Sequence, residues 1–168
     1  MRILLLSDTH NYLDDAILQY ASEADEIWHA GDVGTISIIE RLSQLKPVRA
    51  VYGNIDGRDV RAVYPLDTVF TIDGIRFWIT HIGGYPNHYE PRVRKLMLEY
   101  KPDVFICGHS HILKVMRDPS TGILCMNPGA AGVHGFHKMR TMLRFSISEG
   151  KMQQLEAIEV GLRGKLKE

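Results

Sequence analysis

The sequence predicts an α/β protein whose first strands run parallel, and three observations carry that prediction. Short apolar runs alternate with segments of helical periodicity over the first fifty residues. Several of those runs are continuous rather than alternating, as expected for strands covered on both faces. Polar residues of a few chemical types collect where the runs stop, which is where open α/β sheets keep their sites.

Taken in order, Arg2–Leu6 reads as a strand, and Leu13–Ser22 as a helix with apolar Leu13, Ala16, Ile17, Tyr20 and Ala21 on one side. Glu26–His29 is a second strand. Ile36–Leu45 is a second helix, ended by Pro47, which cannot continue the backbone hydrogen-bond ladder. Val48–Tyr52 follows as a third strand, and this β-α-β-α-β order implies parallel strands with right-handed crossovers. The pattern then changes. Thr68–Ile72 and Ile75–Thr80 flank Asp73-Gly74, a strong hairpin signal. A helix over Arg92–Tyr100 leads to a strand at Val104–Cys107. Short strands are expected near Leu113–Arg117, Ile123–Met126, Thr141–Ser148 and Met152–Ile158, divided by Pro-, Gly- and Glu-Gly-containing turns. The polar tail from Gly161 to Glu168 reads as frayed. No repeat or linker divides the chain, so residues 1–168 are expected to form one domain.

Composition excludes several classes. Lys plus Arg and Asp plus Glu number 20 each, so no global field draws the chain to nucleic acid or to an anionic membrane. The apolar run at the N-terminus stops at Leu6, short of the roughly 7–15 residues of a signal-peptide core, and nothing approaches the ~20 residues of a membrane span. A cytoplasmic location is expected. Cys107 and Cys125 both sit in apolar runs and read as buried, reduced thiols rather than a disulfide.

The chemistry lies at the strand ends. The run ILLL leads into Asp8-Thr9-His10, EIWHA into Gly31-Asp32, VRAVY into Gly53-Asn54, RFWIT into His81, and VFIC into Gly108-His109-Ser110-His111. Each residue has a plain structural reading when taken alone. Asp8 could cap a helix, Asn54 could serve a turn, and His10 and His81 could be loop histidines. As an ordered set at five strand ends they read as metal ligands. Asp8 and His10, like His109 and His111, are two apart and would point the same way on extended backbone. Seven mixed oxygen and nitrogen ligands exceed the shell of one tetrahedral zinc and suit two cations about 3.5–4 Å apart, with a bridging carboxylate. No thiolate takes part, which disfavours soft-metal sites; Mn is the expected metal, with Fe, Zn, Ni and Co able to accept the same donors. Two divalent cations less two Asp charges leave room for a hydroxide and a singly charged phosphodiester.

The ordered series Asp8-x-His10, Gly31-Asp32, Gly53-Asn54-x-Asp56, His81 and Gly108-His109-x-His111 resembles the calcineurin-like metallophosphoesterase superfamily, over about residues 1–160. The short chain and Asn127-Pro128-Gly129 resemble its small bacterial and archaeal branch. The resemblance implies a two-sheet αββα sandwich with the site at the C-terminal ends of the strands, and a manganese-type dinuclear phosphodiesterase. It implies Asp8, His10 and His111 on one metal, Asn54, His81 and His109 on the other, and Asp32 between them. Asp32, Asn54 and His81 would then serve attack on phosphorus by a bridging hydroxide.

Three positions depart from the pattern. Ile55 stands where many members carry His as a proton donor, Ile82 follows His81 where Gly is common, and Ala130 replaces a Ser. The first departure favours substrates with acidic leaving groups. Tyr85 and His88 are candidate substrate contacts, although a solvated loop fits them too. His134 and His137 read as exposed, His29 as structural, and Asp56 as a turn or supporting residue. Arg92, Arg94 and Lys95 read as a solvated helix face. The partner expected is a small phosphoester, and exposed sheet edges would allow a homodimer. The alternative is a catalytically silent scaffold like the retromer-subunit branch of the same superfamily; degraded ligand positions would mark it, and none is degraded here.

Overall fold

A computed structural model describes residues 1–164 of the chain. The elements run β1 (Arg2–Leu6), α1 (Asp15–Glu23), β2 (Glu26–His29), α2 (Ile36–Ser43), β3 (Val48–Ala50), α3 (Arg58–Val63), β4 (Asp67–Ile72), β5 (Ile75–Thr80), α4 (Pro91–Tyr100), β6 (Val104–Ile106), β7 (Leu113–Arg117), β8 (Leu124–Pro128), β9 (Met139–Ser148) and β10 (Lys151–Leu162). They make two five-stranded sheets, ordered β10-β9-β1-β2-β3 and β4-β5-β6-β8-β7. As expected from the crossovers, β1, β2 and β3 pair in parallel, and the Asp73-Gly74 turn joins β4 and β5 as an antiparallel hairpin.

Strand periodicity explains the layering. In β1, Ile3 and Leu5 point between the sheets, while Leu4 and Leu6 face the helices α1 and α2. In β5 and β6, Phe77, Ile79, Val104 and Ile106 face the first sheet, and Trp78 and Phe105 face α4. Both faces of these strands are therefore covered, which is why their sequences read as unbroken apolar runs. Three apolar seams result, one between the sheets and one beneath the helices on each side. Trp28 packs edge-on against Phe70, Phe77 and Phe145 in the middle seam, with ring centroids 4.9–5.5 Å apart, while Phe70 and Phe77 stack on each other.

The structure revises several expectations. Helix α3 was not expected; it is six residues long and buries only Val60, too little for a periodic signal. The first two strands end at Leu6 and His29 as expected, whereas the third ends at Ala50 rather than Tyr52, so the loop carrying Gly53-Asn54 starts early. Part of the tail is ordered: β10 reaches Leu162, and the Arg163 amide donates to the Lys138 carbonyl at 2.9 Å. The rest of that tail, 165–168, lies outside the described residues. Cys107 and Cys125 are buried and free, as expected. Among the described residues no helix is long and apolar enough to cross a membrane.

Candidate metal centre

The loops after β1, β2, β3, β5 and β6 meet at one end of the sandwich. They bring together two groups of side chains, Asp8 with His10 and His111, and Asp32 with His81 and His109. Within each group the candidate ligand atoms lie within 4.8 Å of one another. The groups adjoin. Asp32 Oδ2 is 3.2 Å from His81 Nε2 and 3.6 Å from His10 Nε2, so this one oxygen faces a histidine from each. Asp8 Oδ1 is 3.1 Å from His111 Nε2 and 3.9 Å from His81 Nε2. Asn54 and His109 are exposed at the mouth, while Asp8, Asp32 and His81 form the buried floor. All seven residues singled out in the sequence lie at this end of the molecule.

Their approach does not come from extended backbone, as the spacing had suggested. Asp8, His10, Asp32, His109 and His111 all adopt left-handed conformations, with φ of 55°, 44°, 53°, 67° and 59°. Such residues cost about 1–3 kcal/mol each and collect where function requires a fixed geometry. Coiling each loop at these points turns consecutive polar side chains toward a common centre. Close backbone approach helps: a side chain at Gly53 would collide with the Asp32 carboxylate.

A supporting layer fixes each group. The Asp8 Oδ2 atom accepts from the His109 amide at 3.1 Å, tying two strand ends together and leaving Oδ1 toward the centre. The His81 Nδ1–H donates to the Ala30 carbonyl at 2.7 Å, which turns the Nε2 side of the ring inward. His29 is structural, as expected. Its Nδ1 accepts from the Gly31 amide, so its Nε2–H donates to Thr9 Oγ1 at 2.9 Å, and Thr9 passes a bond to the Val33 carbonyl. Buried Asp56 accepts from the Gly53 and Gly34 amides at 2.7 and 2.8 Å, holding the Asn54 loop against the Asp32 loop. Arg61, which sequence alone did not single out, donates to the carbonyls of Gly53, Asn54 and Asp56. The Asn127 amide nitrogen donates to the Gly108 carbonyl at 2.8 Å, which gives the Asn-Pro-Gly motif its place.

Electrostatics follow from crowding. Burial depresses the pKa of His10, outweighing the attraction of Asp32 and Asp8. Burial opposes charge on His81 as well, but the close Asp32 and Asp8 carboxylates win and hold its pKa above the ordinary imidazole value. Burial pushes Asp32 up, but His81, the Ile55 amide and His10 together bring its pKa below the usual carboxylate value. Burial takes His29 down to about 4, so it is neutral.

The donor set fits divalent cations on an observation independent of sequence pattern. Asp8 Oδ1, His10 Nε2 and His81 Nε2 are buried without a hydrogen-bond partner. Buried polar atoms are seldom left so, and the two histidine nitrogens lie 3.8 and 3.9 Å from Asp8 Oδ1, an arrangement that cations between them would satisfy.

Other candidates fall elsewhere. Tyr85 and His88 pack against each other with tilted rings, centroids 4.8 Å apart, and the Lys114 ammonium sits 3.6 Å over the Tyr85 ring; the structure does not bring either into the cavity above the donor groups. Arg92 is not free on a solvated face: it donates to Asp67 at 2.6 Å and to Thr80 at 2.7 Å. His134 is exposed as expected, yet its ring lies 4.7 Å from that of His10, and half-buried His137 lies 5.2 Å from His111. Both line the cavity. The position of this glycine-bounded loop shortly after Asn-Pro-Gly was the available signal for them.

The chain is similar to characterised folds throughout this region. Residues 1–150 match the calcineurin-like phosphoesterase superfamily domain. A probable metallophosphoesterase of Methanothermobacter thermautotrophicus is 31% identical over 140 residues, 79% of this chain and 78% of that protein. Among solved structures, a zinc complex of Vps29 from Entamoeba histolytica superposes with a TM-score of 0.74 at 15% identity, covering 96% of this chain and all of that one. An archaeal phosphodiesterase superposes at 0.69 with 21% identity, over 95% and 99%. With the two sheets, the ordered strand-end residues and the family match in agreement, the chain belongs to the calcineurin-like metallophosphoesterase superfamily.

Proposed function

We propose that this protein is a dinuclear metal-dependent phosphodiesterase acting on small substrates, with manganese as its working metal. The observation that carries this reading is the pair of adjoining donor groups sharing Asp32, with buried ligand atoms that nothing else satisfies. Asp8, His10 and His111 would hold one cation, and His81, His109 and Asn54 the other, with Asp32 serving both. When bound, two divalent cations supply positive charge for a phosphoryl oxygen and acidify water beside it.

The chain's own residues provide the rest. The left-handed loops fix the donors before substrate arrives, so little reorganisation remains at reaction. Exposed Asn54 and His109 stand where an entering phosphate meets the floor, and the Asn54 amide can donate to its oxygens. Ile55, at 47% exposure beside Asn54, offers no proton to a departing alkoxide. Acidic leaving groups are therefore the better substrates. The likeness to Vps29 would also suit a silent scaffold, but all seven donor positions are intact here, which favours the enzyme.

The test is a panel of phosphodiesters and phosphomonoesters assayed with added Mn, and with Zn, Co and Ni in parallel. Turnover of diesters above monoesters is expected. No turnover of any ester with any of these metals would refute the proposal.

A further inference from the structure

The cavity over the metal centre, about 470 Å³, has two chemically distinct parts. Its polar part is formed by His10, Asp32, Asn54, His109 and His111 of the donor set. Its rim carries Ile55, Ile112 and Phe136, which are 47%, 62% and 102% exposed. Apolar side chains this exposed are unremarkable singly, but a group of them on the wall of one concave site marks a ligand surface. The Phe136 loop is not loosely placed. Gly135, at φ 122°, lies against the His111 ring so closely that any side chain there would collide with Nδ1, and His134 stacks on His10. Phe136 is thus carried on a segment anchored to the donors themselves.

Charge selects the ligand further. No Lys or Arg lines this cavity among the described residues. The nearest guanidiniums, Arg61 and Arg92, line the neighbouring pocket and are held by carbonyls, by Asp67 and by Thr80. An additional phosphate on a substrate would meet isoleucine and phenylalanine rather than a cation.

Resting on the phosphodiester reading, we infer that Ile55, Ile112 and Phe136 form a subsite for a flat, uncharged ester group, an aryl ring or a nucleobase. The cavity's size suits one such group with its phosphoryl centre, within the range of small-molecule sites. Selectivity arises from contact with the ring, separately from the acidity of the leaving group.

Non-hydrolysable monoanions separate these effects. Methyl(phenyl)phosphinate and dimethylphosphinate carry the same charge and no ester bond. Calorimetry on the Mn-loaded protein should show the phenyl compound binding about tenfold tighter, the order that a stacked aromatic pair adds. Phe136→Ala and Ile112→Ser should each narrow that preference while leaving dimethylphosphinate affinity unchanged. Equal binding of the two compounds by the wild type, binding of neither, or an undiminished preference in both variants would overturn the inference. So would loss of self-association in Phe136→Ala by sedimentation with the preference retained, which would make the rim an interface. Failure of ester turnover with the phenyl preference intact would instead count against the phosphodiesterase reading alone.

Discussion

Replacing Asp32 by Asn removes one charge while keeping the side chain's shape. Asp32 Oδ1 accepts from the Ile55 amide at 3.0 Å, and an Asn carbonyl can keep that bond. The lost charge is the one on Oδ2, within 4 Å of a histidine from each donor group. At an effective dielectric of ~20, two unit charges ~4 Å apart interact by about 4 kcal/mol. The double charge of a metal ion enlarges this and easier solvation of Asn offsets part of it, so about a thousandfold loss of affinity at the more weakly held metal is a fair expectation. Without metal the effect is smaller, because the variant loses only the attraction of the Asp32 charge for His81 and His10 that keeps its pKa low in the fold. The variant should melt at or a little below the wild-type temperature in EDTA and gain much less from added Mn, since metal bound only to the native state stabilises it by mass action. Thermal melts across an Mn titration, paired with turnover, provide the assay. A wild-type Mn response and full activity in the variant would refute the sharing of Asp32 between two metals.

The supporting residues give further tests. Asp56→Ala orphans the Gly34 and Gly53 amides and should cost about 2–5 kcal/mol in urea unfolding, because unpaired buried donors are expensive. A loss below about 1 kcal/mol would show that the Asn54 loop is held by other means. His29 is neutral in the fold with a pKa of about 4, against 6.5 when free. The unfolded chain therefore binds the extra proton between these values, and the metal-free protein should lose roughly 1 kcal/mol per pH unit as pH falls through that window. The contribution is fully present above pH 6.5, and His29→Gln should flatten the slope; identical slopes would contradict the assignment. Ile55→His places a donor beside Asn54 and should raise kcat on alkyl diesters about a hundredfold more than on aryl diesters, the low side of what proton donation contributes. Parallel changes in both series would mean that leaving-group protonation is not what Ile55 lacks.

Much of this was legible because the local signals were independent. The runs ILLL, EIWH and VFI read as strands from composition alone, and each ends beside a candidate ligand. The division into two sheets was not legible from the periodicity of the runs and entered through the family resemblance. A strand's neighbours depend on contacts far along the chain, such as the pairing of β1 with β9. That Asp8 and His10 come together was anticipated, but for the wrong local reason: left-handed turns, not extended spacing, aim them. Such conformations have little signature in non-glycine residues, since tertiary contacts impose them. His134 and His137 were read as exposed for a similar reason: their neighbours His10 and His111 are distant in sequence, and the glycine-bounded loop after Asn-Pro-Gly was the one local hint of the contact. Asp56 was read as a supporting residue and the structure gives it that place, whereas Arg61, acting only through carbonyls, carries no motif.

The central claim is that this end of the sandwich holds two cations that share the Asp32 carboxylate. Equilibrium dialysis of the chelator-stripped protein against Mn, followed by elemental analysis, measures it directly. Two equivalents per chain are expected for the wild type, falling to none when Asp8 and Asp32 are both replaced by Asn. One equivalent or none in the wild type, or two retained by the double variant, would contradict the claim.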